Sequence, residues 1–147
     1  MKSYLSAGFP GSYILHVLTG ILFILVIALS NPVSAQRLMD ANRSTIGNIN
    51  EGRVRNEYRS IIGYIEKGRI LNANRATLGY FEDGRVLNAN RVILGYIEKG
   101  RVLNANRSTL GYMEKGRVLS VNRATLGYYE DVVPEDAALF FFFFFGG

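Results

Sequence analysis

From residue 37 to residue 132, short apolar clusters alternate with polar turn sequences, and the alternation is strictly periodic. Cut every 16 residues, this segment gives six units without insertion or deletion: RLMDANRSTIGNINEG, RVRNEYRSIIGYIEKG, RILNANRATLGYFEDG, RVLNANRVILGYIEKG, RVLNANRSTLGYMEKG and RVLSVNRATLGYYEDV. Such a fixed period marks a repeat architecture and has to be settled before any fold is proposed. Each unit holds two turn signals. Lys-Gly, Asp-Gly or Glu-Gly closes five of the six, the dipeptide form of tight hairpins. An Asn-Ala-Asn-Arg segment supplies the other turn, where Asn side chains bond local backbone groups. The clusters between, rich in Val, Ile, Leu, Thr and Tyr, read as strands of about 4–6 residues. A turn every eight residues leaves no room for three helical turns.

The two-residue loop fixes register. With Lys99-Gly100 as the loop, Glu98 faces Arg101, Ile97 faces Val102, Tyr96 faces Leu103 and Gly95 faces Asn104. Both faces of the ribbon are then apolar, so an isolated ribbon is unstable, and each is expected to be sandwiched between neighbours. The glycines Gly47, Gly63, Gly79, Gly95, Gly111 and Gly127 suit close backbone approach. Pairing the first strand with the last sets Glu130 opposite Arg37, repeats the internal pattern and removes both free edges. The expected fold class is therefore all-β: six tandem strand–turn–strand repeats closed into a propeller-like ring of hairpins. An open solenoid is the alternative.

Two segments lie outside the repeats. Residues 1–35 run from Lys2 through a long apolar stretch to Asn31-Pro32 and a small-residue site ending at Ala35, the order of a secretory signal peptide. An uncleaved anchor is the alternative. Export and cleavage near Ala35 would place the protein in the periplasm, in the outer envelope or outside the cell. Residues 133–147 join an acidic linker to the run Phe140, Phe141, Phe142, Phe143, Phe144 and Phe145. Nine successive apolar residues are too few to span a membrane as a helix. In water they would be an aggregation hazard. They are expected to plug the ring; docking on a membrane or a partner is the alternative.

Taken together, the signal peptide, the spacing IGY-x-(E)-x-G-x-V-x-N and the aromatic finish resemble the bacterial 5-fold β-flower proteins. That resemblance spans Gln36 to the C-terminus. It implies a small exported protein of radially arranged hairpins with no established activity. Six units stand where the family's description suggests five.

Composition narrows the chemistry. The chain has no Cys, and its one His, His16, lies in the leader. Beyond the leader, Ser–His–Asp, Cys–His and zinc sites therefore lack their residues, and disulfides are excluded. No catalytic residue, metal or cofactor is expected. Glu66, Glu82, Glu98, Glu114 and Glu130 are expected to make exposed cross-strand ion pairs with the arginines they face. Glu130, Asp131, Glu135 and Asp136 match no calcium loop and read as a solvated turn. The tyrosines Tyr64, Tyr80, Tyr96, Tyr112 and Tyr128 are expected in the core between petals.

Arg43, Arg59, Arg75, Arg91, Arg107 and Arg123 recur at one turn position with no acidic residue matched to them. In a closed ring they would line one rim as a circle of positive charge, in a chain of formal net charge +5. Such a rim is expected to serve solubility, in a protein whose role in the cell envelope is binding or structural; the alternative is a surface that binds an acidic glycan or lipopolysaccharide. Nucleic acid is disfavoured by export.

Overall fold

The computed structural model describes residues 36–146; the leader expected over 1–35 lies outside them. Twelve antiparallel strands close into one barrel. They are β1 (Arg37–Asp40), β2 (Thr45–Asn50), β3 (Arg53–Asn56), β4 (Ile61–Glu66), β5 (Arg69–Asn72), β6 (Thr77–Glu82), β7 (Arg85–Asn88), β8 (Ile93–Glu98), β9 (Arg101–Asn104), β10 (Thr109–Glu114), β11 (Arg117–Ser120) and β12 (Thr125–Glu130). Every strand pairs with its sequence neighbours, and β1 pairs with β12 through Arg37 opposite Glu130. The ring is six-fold, one hairpin per unit.

Two loop types alternate around it. Lys99 and Gly100, at φ 49° and 77°, form a two-residue loop of the kind that matches strand twist. Across it the register is Gly95–Asn104, Tyr96–Leu103, Ile97–Val102 and Glu98–Arg101, as the sequence predicts. The other loop closes with Arg107 N–H donating to the Asn104 carbonyl, after which Arg107 itself takes φ 64°. Asn104 Oδ1 accepts from the backbone N–H of Asn106 and of Ser108, and Asp40 does the same in the first unit.

The hairpins differ from separate blades stacked face to face. Each bonds edge to edge with both neighbours, which satisfies the backbone groups that stacking would leave open. The two apolar faces are covered by different means. The Ile97–Val102 face belongs to the central core cluster and is packed by the C-terminal segment. That segment is α1 (Pro134–Leu139), with Ala137, Ala138 and Leu139 fully buried, followed by a π-helical turn at Phe140–Phe144.

The six phenylalanines meet the six glycines one to one. A methyl group at Gly127, Gly111, Gly95, Gly79 or Gly63 would lie 2.5–2.9 Å from a ring carbon of Phe141, Phe142, Phe143, Phe144 or Phe145, respectively. At Gly47 the neighbour is Phe140, at 3.7 Å. Successive rings therefore step through successive units, against chain order. An α-helix turns too far per residue to do this. The widened coil, in which Gly146 N–H reaches the Phe140 carbonyl at 2.7 Å, turns less per residue and lets successive rings reach successive units.

Candidate functional site

The outer wall carries the polar chemistry. Leu71, Leu87, Leu103 and Leu119 are buried there, 2–5% exposed. Each faces a half-buried tyrosine across its hairpin. The tyrosines are not core between petals: with blades paired by their edges, this face looks outward, and arginine covers it. Arg75, Arg91, Arg107 and Arg123 lie over the rings of Tyr64, Tyr80, Tyr96 and Tyr112 at 4.0–4.3 Å. Arg43 lies over Tyr128 at 4.0 Å, across the closure.

Those arginines also find carboxylates, which corrects the expectation that none is matched to them. Arg75 meets Glu66 at 3.2 and 3.3 Å through two nitrogens, and Arg91 meets Glu82 in the same way at 3.1 and 3.2 Å. Arg107 pairs with Glu98 at 2.8 Å and Arg123 with Glu114 at 2.8 Å. Hydrogen bonding to Glu66 and Glu98 pushes the Arg75 and Arg107 guanidinium pKa values up, which favours the charged form. The facing arginines expected to hold these glutamates turn elsewhere: Arg69, Arg101 and Arg117 donate to Thr77, Thr109 and Thr125. Among the described residues only Glu130 pairs with the arginine it faces, Arg37.

The seat for a turn arginine thus has three parts, a ring below, a carboxylate beside and a left-handed backbone that turns the side chain back onto the wall. A non-glycine residue at positive φ costs of the order of 1 kcal/mol. Stacking offsets this by about 0.5–1 kcal/mol at such exposed positions, and the ion pair adds somewhat less than ~1 kcal/mol. The rim is accordingly not a continuous positive circle, because four of its six arginines are neutralised in place.

Arg59 is the exception. It keeps the positive φ, 65°, yet has neither ring nor carboxylate, because unit 1 carries Asn48 in the tyrosine column and Asn50 in the glutamate column. Beneath it opens a pocket of about 380 Å³ lined by Arg37, Thr45, Asn48, Asn56, Glu57 and Arg59. Asn48 Oδ1 is buried there without a hydrogen-bond partner. Asn48 faces Arg37 on one side and Arg55, which replaces the buried leucine, on the other. None of Arg43, Arg55 and Arg59 makes an ion pair among the described residues. Sequence reasoning singled out Arg43 and Arg59 with the other four but missed Thr45, Asn48, Asn50 and Arg55. The signal was present as departures from the columns of the other units.

Phe140, Phe141, Phe142, Phe143, Phe144 and Phe145 lie inside the ring against the glycines. Among the described residues no group of three or more His, Cys, Asp or Glu gathers in a metal-binding arrangement. Asp136, in the first turn of α1, has its pKa pushed up to about 6, chiefly by burial and secondarily by Glu135.

The family model described as "5-fold beta-flower protein" matches residues 35–145, from the start of the repeats through the phenylalanine tract. The chain belongs to this family. No curated protein and no solved structure matches it. Within the β-flower family this chain forms a ring of six units, with one aromatic ring supplied to each.

Proposed function

We propose that this β-flower is an exported, non-enzymatic protein that binds an acidic polymer of the cell envelope, an acidic glycan or lipopolysaccharide, through one sector of its outer wall. The observation that carries the reading is the uneven pairing of the turn arginines. Arg43 and Arg59, of units 1 and 2, make no ion pair among the described residues, whereas the turn arginines of units 3–6 are held by glutamates. A polyanion gains most where positive charge is not already compensated. The leader over 1–35 supports export, and the lack of His and Cys beyond it supports a role without catalysis. Membrane docking or self-assembly draws no support from the phenylalanine tract, whose rings rest on the glycines.

Retention on heparin and on lipopolysaccharide resin, eluted with salt, tests the reading. Arg43→Ser with Arg59→Ser is expected to lower the eluting salt concentration substantially. Lys99→Ser with Lys115→Ser removes the same charge from exposed loops and is expected to change it little. Equal effects of the two pairs, or no retention of the parent protein, would refute the proposal.

A further inference from the structure

We infer that the open seat of unit 1 is a subsite for a single acidic sugar residue, a uronate, within a polysaccharide chain. This rests on the acidic-polymer reading and adds the residue class and the place. The other seats act as a template. There an aromatic ring fills the space under the guanidinium and a carboxylate meets its edge, at 2.8–3.3 Å. In unit 1 both groups are missing, the backbone cost of presenting Arg59 is still incurred, and a ring-sized space remains. A pyranose carrying a carboxylate supplies both missing parts, its ring in the tyrosine position and its acid on Arg59 in the charge-assisted geometry that glutamate uses elsewhere.

The lining decides between ligand classes. Thr45, Asn48 and Glu57 give the lining hydrogen-bonding side chains, which call for a ligand with hydroxyls. A phosphate monoester dianion would satisfy Arg59 but has no proton to give. An aryl acid lacks the hydroxyls, and its ring would meet polar walls. A uronate has hydroxyls for the Asn48 side chain, for Thr45 Oγ1 and for Glu57. In units 3, 5 and 6 the equivalent threonine hydroxyl accepts from an arginine. In unit 1 the corresponding Arg37 turns to Glu130 and leaves Thr45 available. The volume, about 380 Å³, lies at the small end of ligand pockets, as one sugar residue requires.

The test is calorimetric titration of the full chain, expressed with its own N-terminal segment, against trigalacturonate, with maltotriose as the uncharged control and heparin retention measured in parallel. The parent protein is expected to bind trigalacturonate and not maltotriose. Asn48→Tyr installs the side chain of the other seats without changing charge; it is expected to weaken trigalacturonate at least tenfold and to leave the unfolding midpoint essentially unchanged. Chemical-shift mapping on the parent protein, with perturbation of the Asn48 side-chain amide as the expected result, gives a readout independent of that variant's folding. No binding by the parent, equal binding of maltotriose, undiminished binding by a folded Asn48→Tyr protein, or an unperturbed Asn48 amide would each overturn the subsite. If heparin retention persists in those cases, the acidic-polymer reading survives; if the parent is not retained on heparin, that reading falls separately.

Discussion

The inner and outer walls of this barrel are made by the same twelve strands but obey different rules. Inside, all six units present a glycine, and all six glycines meet a phenylalanine. Unit 1, divergent elsewhere, keeps Gly47. Outside, the tyrosine column is broken by Asn48, the glutamate column by Asn50 and the leucine column by Arg55 and by Met39. The inner wall closes on a tract with one ring per unit, so a change in any unit is felt by a close-packed core. The outer wall is a set of local seats, each worth about 1 kcal/mol, so one can be remodelled while the ring stands. Specific recognition is to be sought where variation is tolerated.

Breaking the inner wall has the largest expected effect. At Gly95 a Cβ would run into the Leu103 carbonyl oxygen and lie 2.9 Å from the Phe143 ring. Because the obstacle is backbone as well as side chain, Gly95→Ala is expected to destabilise by about 3 kcal/mol or more, read as a loss of denaturation midpoint.

An intermediate effect is expected from pH. The folded-state pKa of Asp136, about 6, lies above the ordinary 3.8. Between these values the folded protein holds a proton that the unfolded chain has released, so stability declines as pH rises through this window. Its contribution is fully present below about pH 4 and lost above about pH 6. Discounted for partial exposure, the decline is of the order of 1 kcal/mol. Denaturation of the parent and of Asp136→Asn at pH 4 and 7 checks this: the variant is expected to lose the slope and to be the more stable of the two at pH 7.

The outer seats sharpen the comparison at its small end. A double-mutant cycle on Glu98→Gln and Arg107→Ser is expected to give a coupling below ~1 kcal/mol, shrinking in salt. A coupling of several kcal/mol would mean that the outer wall is as constrained as the inner one, and the contrast would fail.

The fold was legible in the sequence to an unusual depth because period and turn chemistry are local. Gly100 and Lys99 identify the tight loop, and the loop fixes which residues face each other. Closure followed from Glu130 and Arg37 completing the internal pattern. The candidate site was legible only in part. Arg43 and Arg59 stood out with four arginines that turn out to be occupied, since nothing local says that Arg107 reaches Glu98, nine residues earlier, in preference to leaving it for the facing Arg101.

What the chain determined by itself was the strand, the turn and the register, all set by contacts between residues close along the chain. What only the tertiary structure decided was which apolar face turns inward, that six phenylalanines are shared out among six glycines, and which arginine is left without a seat. Those outcomes depend on the whole ring closing around its own C-terminus, where packing across units assigns each side chain a place that no single repeat encodes.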